Sequence, residues 1–278
     1  MTIFSAYNYT KKVLQGAGIE SFVFEAKQII RYVTGYNNRQ IMDKYQEPLE
    51  EIKESLLLSI VKQRCTRYPL QYIIGEWSFF GYDFAVGEGV LCPRPDTEVL
   101  VETAMELEKA EEAQIADLCA GTGCVGITLA LKNKGWKVLC AEKYEKAFSY
   151  LEKNITKNGA DNVTAVLLDI ANPIGDKKFD LVVSNPPYIS KEEMKIIDEE
   201  TKKEPETALY GGEDGLDFYK IILSKWKPLV KSGGHIAVEI GINMENAVMS
   251  LFKEAGLTDI NTKEDYNGIK RVVYGTVI

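Results

Sequence analysis

Beyond residue 96 the chain alternates short, nearly continuous apolar runs with stretches of helical periodicity, and this alternation restricts the fold more than any other feature. A run that is apolar at successive positions is buried on both faces, and a helix between two runs supplies the crossover that parallel strands require. The pattern predicts an α/β fold, a doubly wound and mostly parallel sheet covered by helices on both faces. The predicted strands are 115–119, 138–141, 163–168, 179–183, 235–240 and 272–277.

The first part of the chain follows a helical pattern instead. Apolar residues recur there every three or four positions, which predicts one buried stripe on each of two helices. The two stripes are Phe22, Ala26, Ile29, Ile30 and Val33, then Ile52, Leu56, Leu57, Ile60 and Val61. Aromatic and β-branched residues mixed with glycines follow and indicate a hairpin. We therefore predict a small helical domain over 1–75, a hairpin linker over 76–92 and the sheet domain over 93–278.

Composition limits the classes to which this protein can belong. Its 278 residues, 45% of them hydrophobic, can bury a large core. The 33 basic and 41 acidic side chains give a formal charge of −8, which argues against direct binding of nucleic acid. No apolar stretch reaches the roughly 18 to 20 residues of a membrane span, and the N-terminus lacks the order of a secretory signal. We expect a cytoplasmic monomer without a membrane partner.

The cysteines do not indicate a metal site. There are five, an odd number, and no two of them form a C-x-x-C pair. Neither a disulfide framework nor a zinc site is therefore predicted, and the thiols are expected to be reduced.

A glycine-rich turn joins the first predicted strand to a helix in the segment ADLCAGTGCVGITLA. Gly121, Gly123 and Gly126 match G-x-G-x-x-G, and Glu142 lies 21 positions after Gly121, at the end of the next strand. Glycines let the backbone approach a ligand, the helix N-terminus receives an anion, and the carboxylate can bind ribose hydroxyls. NAD and S-adenosylmethionine both satisfy this pattern. The simpler alternative is a tight turn with a surface acid.

The stretch SNPPYIS follows the fourth predicted strand and places Asn185 at its carboxyl end. A residue before proline is extended, and Pro186 and Pro187 have no N–H to donate. Asn185 Oδ1 and the Pro186 carbonyl can therefore accept both hydrogens of one planar NH₂ group. Two such acceptors favour a tetrahedral nitrogen and stabilise the positive charge that develops when the nitrogen attacks a methyl group.

This motif distinguishes the two cofactors, because hydride transfer has no use for an amine-orienting corner and methyl transfer to a planar nitrogen does. No strong base is required, and we interpret the single histidine, His235, as structural. Tyr188 is predicted to stack on the bound amide or exclude water, with simple packing as its alternative. The predicted catalytic residues are Asn185, Pro186 and Tyr188.

These residues resemble the S-adenosylmethionine-dependent N-methyltransferases with an Asn-Pro-Pro-Tyr motif, which have a Rossmann-like fold. Over nearly its whole length the chain is more closely similar to the release factor glutamine methyltransferases, the PrmC/HemK family. Asn-Pro-Pro-Tyr also occurs in DNA adenine and some RNA methyltransferases, whereas the combination of PRPDTE with Gly-Gly-x-Asp-Gly is much more specific. Besides 117–123 and 185–188, the matching stretches are 69–81, 93–98, 204–219, 231–241 and 266–271.

The resemblance implies methylation of the glutamine side-chain amide in the Gly-Gly-Gln loop of class-1 peptide chain release factors, which tunes translation termination. S-adenosylmethionine would be the methyl donor and S-adenosylhomocysteine the product. The helical domain would dock the release factor, and Asn185 to Tyr188, including Pro187, would hold the glutamine. The cofactor-binding residues it implies are Cys119, Ala120, Gly121, Thr122, Gly123, Glu142, Asp169, Ile170 and Asn185.

The chain departs from the family pattern at four positions. Cys119 and Ala120 stand where the turn often begins Gly-Thr, Glu142 replaces the usual Asp, and Ile170 stands where an aromatic can occur. Two other functions share part of the pattern: methylation of a base amine in DNA or RNA, and binding of an adenosine ligand such as NAD with the tetrapeptide as a strand exit. A DNA enzyme would need a basic groove, and the N-terminal part has only modest basic clusters, Lys62, Arg64 and Arg67.

Overall fold

The alternation of strands and helices is present in the computed structural model of the protein, which describes residues 1–173, 175–176 and 178–278. Contacts within the chain define two compact units. One comprises residues 1–75 with 199–203, and the other comprises 76–198 with 204–278.

The first unit is helical. In α2 the predicted stripe is confirmed for Ala26, Ile29, Ile30 and Val33, which are buried against α1 and α4. The prediction for α4 was partly wrong. Its buried residues are Leu57, Ile60, Val61 and Arg64, which share one face of the helix. The other two residues of the predicted stripe, Ile52 and Leu56, are 76% and 42% exposed. The helices are α1 (Ile3–Gly16), α2 (Phe22–Thr34), α3 (Asn38–Asp43), α4 (Glu51–Arg64) and α5 (Leu70–Ile74).

The second unit begins with a two-stranded antiparallel hairpin and contains a seven-stranded sheet. The hairpin strands are β1 (Glu76–Phe79) and β2 (Tyr82–Ala85). The sheet strands are β3 (Gln114–Leu118), β4 (Lys137–Glu142), β5 (Val163–Leu167), β6 (Phe179–Ser184), β7 (Val230–Glu239), β8 (Leu257–Glu264) and β9 (Lys270–Val277). All six apolar runs therefore form strands, and β8 is a strand that the sequence did not predict.

The sheet has the order β5-β4-β3-β6-β7-β9-β8. Neighbours from β5 to β7 are parallel, and β9 is antiparallel to both β7 and β8. From β3 the chain adds β4 and β5 on one side of the sheet and then crosses to add β6 on the other side of β3. Sheets of this kind bind ligands at such a crossover point, which here lies at the carboxyl ends of β3, β4 and β6. The prediction of a mostly parallel sheet is confirmed.

Helices cover the sheet on both sides, and each side has its own apolar core. Alternation along β3 illustrates the division, because Ile115 belongs to one core and Ala116 to the other. The helices of this unit are α6 (Glu98–Leu107), α7 (Cys124–Lys132), α8 (Glu145–Asn158), α9 (Asp217–Ile221) and α10 (Glu245–Glu254), and α9 continues into a π-helical turn, Ile222–Trp226. In the described part of the chain no helix is long and apolar enough to cross a membrane.

Candidate active site

A cavity of about 900 Å³, open to solvent, lies at the carboxyl ends of β3, β4 and β6. Most residues that the sequence proposed for a site line it: Cys119, Ala120, Gly121, Thr122, Glu142, Asp169, Ile170, Asn185 and Pro187. Gly123, Pro186 and Tyr188 are not among the lining residues. The structure thus brings the glycine turn, the acid after β4 and the asparagine after β6 to one place.

The glycine turn needs its glycines for conformation and for packing. Gly121 and Gly123 both have positive φ, 55° and 79°, which favours glycine. A Cβ on Gly123 would lie 2.5 Å from Leu151 Cδ1. Cys119 also has a positive φ, 58°, so this departure from the family pattern stands in a strained backbone conformation. Burial raises the pKa of its thiol well above the ordinary range, so the thiol is protonated at neutral pH.

Glu142 is nearly buried and holds the turn through its carboxylate. Oε2 accepts the N–H of Gly121 at 2.9 Å, and Oε1 accepts those of Lys143 and Tyr144, each at 2.8 Å. A carboxylate offers about four lone-pair sites, so about one is left for a ribose hydroxyl. The residue predicted to bind ribose therefore also orders the backbone on which the ligand would lie.

Asp117, near the end of β3, connects this strand to the helix that follows the glycine turn. Its Oδ2 accepts the N–H of Gly126 at 2.8 Å, which joins β3 to the first turn of α7. Burial raises the pKa of this carboxyl to about 7, while the Gly126 hydrogen bond opposes the rise. A Cβ on Gly126 would approach Asp117 Oδ2 to 2.9 Å and Cys140 Sγ to 2.4 Å. Glycine at this position therefore permits close contact between helix and sheet.

Asp169 and Ile170 form another part of the wall. Asp169 pairs with Lys143 at 2.8 Å and accepts the N–H of Ala171, and these contacts lower the pKa of its carboxyl. The Ile170 side chain belongs to the apolar core, and its carbonyl accepts the indole N–H of Trp226 at 2.8 Å. Together they present one polar and one apolar surface to the cavity.

The Asn-Pro-Pro-Tyr corner is held from two sides. Asn185 Nδ2 donates to Thr97 Oγ1 at 3.1 Å, and the Tyr188 hydroxyl faces Glu239 Oε1 at 3.5 Å. Tyr188 does not line the cavity, and its proposed stacking on a bound amide stays a prediction. His235 lies within β7, where its Nδ1 is 3.3 Å from the Thr276 hydroxyl, and it does not line the cavity.

The Gly-Gly-x-Asp-Gly segment, residues 211–215, packs directly against the backbone of Pro187 and Tyr188. A Cβ on Gly211 would lie 2.7 Å from the Pro187 carbonyl oxygen, and one on Gly215 would lie 2.4 Å from that of Tyr188. Larger residues would push the corner out of place. The sequence offered this segment only as a matching motif, and the structure supplies its physical role.

Several residues of the site were not found from the sequence. Arg94 and Thr97 line the cavity, and Arg94 pairs at 2.5 Å with Glu204, a nearly buried carboxylate. Asn154 is fully buried in α8, accepts the N–H of Ala85 and donates to the carbonyls of Ala85 and Thr122. One signal was available: with Ala147 and Leu151, Asn154 continues the apolar stripe of α8, where a polar residue calls for explanation.

The donors and walls of this cavity fit S-adenosylmethionine. Glu142 would offer an acceptor to ribose, Ile170 an apolar surface to adenine, and the N-terminus of α7 backbone N–H groups to a carboxylate. Among the described residues no cluster of His, Cys, Asp and Glu could hold a metal ion. Fold and site together define an S-adenosylmethionine-dependent methyltransferase with a Rossmann-like fold.

Comparison with known proteins makes the assignment more specific. Residues 94–212 match the model of the methyltransferase small domain, and 5–75 match that of the PrmC N-terminal domain. The release factor glutamine methyltransferase of Geobacter sulfurreducens is 35% identical over 99% of this chain and 97% of its own. That of Clostridium acetobutylicum is 35% identical over 94% of this chain and 93% of its own. The chain belongs to the release factor glutamine methyltransferase family.

A solved structure supports the fold independently. A methyltransferase from Pyrococcus furiosus superposes with a TM-score of 0.55, at 17% identity, over 72% of this chain and 90% of its own. At that identity the likeness concerns the fold alone.

Proposed function

We propose that this protein transfers a methyl group from S-adenosylmethionine to the side-chain amide nitrogen of the glutamine in the Gly-Gly-Gln loop of class-1 peptide chain release factors. The product would be S-adenosylhomocysteine, and the modification would tune translation termination in the cytoplasm, where release factors act. The similarity to release factor glutamine methyltransferases of Geobacter sulfurreducens and Clostridium acetobutylicum supports this substrate.

One observation carries the proposal. Asn185 Nδ2 donates to Thr97 Oγ1, so the side-chain amide of Asn185 turns its NH₂ group towards Thr97 and uses one N–H there. Asn185 lines the cavity, and its remaining polar atom, Oδ1, is an acceptor. An acceptor in this position suits a substrate that brings N–H groups, as a carboxamide does.

The two prolines complete the acceptor corner. Pro186 and Pro187 have no N–H, so their peptide groups offer only carbonyl oxygens. We assign the Pro186 carbonyl as the second acceptor, and the pair would hold both hydrogens of the glutamine NH₂ out of the amide plane. The nitrogen lone pair is then less delocalised, and the developing positive charge faces two oxygens. S-adenosylmethionine supplies the electrophilic methyl group on a sulfonium centre.

The remaining residues would bind and position. Residues 119–123, Glu142, Asp169 and Ile170 would hold the cofactor, and Asn185 would touch both cofactor and glutamine. Pro187 and Tyr188 would complete the glutamine site. The packing of Gly211 and Gly215 against this corner supports its rigidity.

We assign the docking of the release factor to the helical unit. Val23, Phe24, Met42, Ile52 and Leu56 leave large apolar side chains exposed there. These side chains would supply the apolar part of a contact with a protein partner. We propose that the enzyme is a monomer that binds a protein partner and does not bind nucleic acid directly.

The deciding experiment is mass spectrometry of a release factor after incubation with the protein and S-adenosylmethionine. We expect one added methyl group, located on the loop glutamine, and none on a Gln→Ala release factor. Asn185→Ala should lose about 2 to 4 kcal/mol of transition-state stabilisation while the fold persists. Equal labelling of both release factors, or transfer to DNA or RNA that falls with salt, would overturn the proposed substrate.

A further inference from the structure

Glu239 is a buried carboxylate with an unmet hydrogen-bonding need. Its side chain is 2% exposed at the carboxyl end of β7, and Oε2 has no hydrogen-bond partner among the described residues. Burial of such a group is costly, so its presence in a core calls for an explanation. The mechanism above makes no use of it.

The sheet places this carboxylate beside the asparagine of the acceptor corner. In the parallel register of β6 and β7, Ser184 lies opposite Val238, so Asn185 and Glu239 are the next residues on the two strands. Glu239 meets the same motif again at its other end, where the Tyr188 hydroxyl is 3.5 Å from Oε1.

An ion pair does not account for Glu239. Arg271, on β9, is the nearby cation, and its guanidinium pairs with Asp96 at 2.7 Å and Asp265 at 3.0 Å. Among the described residues, the groups that shift the pKa of the Glu239 carboxyl are Thr97 and Asp96 from the turn before α6, Tyr188 after β6, and Arg271. The pKa of its carboxyl is raised to about 7, chiefly by burial; Asp96 contributes to the rise, and Thr97, Arg271 and Tyr188 oppose it.

We infer that Glu239 is a positioning residue that sets, through the hydroxyl of Thr97, which end of the Asn185 side-chain amide faces the substrate. A hydroxyl has a single hydrogen to donate. The Thr97 side chain is hydrogen-bonded to the Glu239 carboxyl group. An ionised carboxylate can only accept, so in this hydrogen bond it takes the Thr97 hydrogen and leaves the Thr97 oxygen as an acceptor. Asn185 then has to offer Nδ2 to Thr97, as observed at 3.1 Å, and its Oδ1 is directed to the acceptor amide.

The opposite orientation becomes available when Glu239 can donate. A protonated or amidated side chain can give a hydrogen to Thr97, whose own hydrogen can then go to Asn185 Oδ1. The Asn185 amide would turn over and present two N–H groups to a substrate that also brings N–H groups. This inference rests on the proposed function, in which Asn185 Oδ1 receives the glutamine NH₂.

Glu239→Gln, which keeps the size of the side chain, tests the inference. We expect kcat to fall about 10- to 100-fold while the Kd for S-adenosylmethionine stays within about twofold and the melting temperature is equal or higher. Thr97→Val should lose a similar factor, and Thr97→Ser, which keeps the hydroxyl, should recover to within about threefold of wild type. In Thr97→Val, the added Glu239→Gln should cost nothing more. A full and independent loss in that background would overturn the relay.

The pH profile separates positioning from a structural role. Glu239 must be ionised, so kcat/KM of the wild type should fall as the pH is lowered through about 7, and Glu239→Gln should be low but without this acid limb. The carboxyl pKa of Asp117 is also raised to about 7. If Asp117 caused the fall of kcat/KM at low pH, the same fall would remain in Glu239→Gln. A limb that persists in Glu239→Gln contradicts the assignment.

A measurement without substrate distinguishes failure of the relay from failure of the proposed function. The side-chain NH₂ resonances of Asn185, identified by their loss in Asn185→Ser, should exchange slowly with solvent in the cofactor-free wild type. Glu239→Gln should shift them and speed their exchange, and Thr97→Ser should not. If these resonances do not respond to Glu239→Gln, the relay is wrong even where release factors are methylated. If they respond and no release factor is methylated, only the proposed substrate is wrong.

Discussion

Glu142 Oε2 accepts the backbone N–H of Gly121 across 2.9 Å, although 21 positions of sequence separate the two residues. The same carboxylate accepts two further N–H groups through Oε1. The acid that the sequence proposed for ribose therefore has a second role, since it fixes the path of the glycine turn.

Glu142→Gln should weaken S-adenosylmethionine binding by at least about tenfold, because an amide can serve the N–H groups on only one of its two sides. Titration calorimetry measures the change. Glu145→Gln, an exposed residue three positions further on, is the matched control and should bind as wild type does. A 2′-deoxy analogue of S-adenosylhomocysteine separates the two roles: its loss of affinity relative to S-adenosylhomocysteine should be present in the wild type and absent in Glu142→Ala. An equal loss in both proteins would mean that Glu142 does not bind the ribose.

Gly126→Ala should destabilise the protein by about 1 to 3 kcal/mol and weaken cofactor binding, because the new methyl group forces α7 away from β3 and β4. The closest clash is with Cys140 Sγ, at 2.4 Å. Gly16→Ala is the control. That glycine ends α1 with no atom within 4 Å of an added Cβ, so the change should be neutral or stabilising by up to about 1 kcal/mol. Urea denaturation of both variants checks the contrast, and equal stabilities would contradict it.

The buried guanidinium of Arg64 should be essential to the helical unit. It is 2% exposed and pairs with Glu25 at 2.7 Å and with Glu200 at 2.5 Å. Arg64→Ala leaves the nearly buried Glu25 without its cation and should cost about 3 to 5 kcal/mol in the free energy of unfolding. Arg39→Ala, which removes an exposed ion pair with Asp43 at 4.0 Å, should change it by less than about 0.5 kcal/mol.

A double variant tests whether the cost in Arg64→Ala comes from the abandoned carboxylate. Arg64→Leu with Glu25→Leu replaces the pair by apolar side chains, which should restore much of the stability. If the double variant is as unstable as Arg64→Ala, packing of the arginine stem is the larger contribution.

The sequence predicted the parts of this molecule that depend on local patterns. Continuous apolar runs identified β3 to β7 and β9, and strand ends followed by Gly121 and Asn185 identified the site. The segment Leu257–Glu264 was missed because only two of its residues, Leu257 and Ile260, are apolar, which is too few to form a recognisable run. It pairs with β9 through its backbone.

Partners that are distant in sequence could not be predicted. Thr97 lies 88 positions from Asn185, and Glu204 lies 110 from Arg94, so no local period connects them. Glu239 sits within an apolar run and resembled any other strand residue until the register of β6 and β7 placed it beside the motif. The Asn-Pro-Pro-Tyr motif was recognisable in the sequence, and the groups that contact it in the structure were not.

Asn154→Asp should convert a satisfied buried amide into a pH-dependent defect. In the wild type Nδ2 donates to the carbonyls of Ala85 at 3.1 Å and Thr122 at 3.0 Å, so β2 and the glycine turn are both joined to α8. A carboxylate has no hydrogen for either carbonyl and is repelled by both, which should cost about 2 to 4 kcal/mol at pH 8.

The sign of the pH dependence of Asn154→Asp follows from this repulsion. Burial raises the pKa of the new carboxyl in the folded state above its unfolded value of about 3.9, so the loss is smallest at acidic pH and grows as the pH rises through the folded pKa. Asn246→Asp, the same change at an exposed position in the first turn of α10, should show no such loss at any pH. Urea denaturation of both variants relative to wild type at pH 5 and pH 8 measures the difference. A deficit in Asn154→Asp that does not increase with pH would show that lost packing, and not the charge, destabilises the variant.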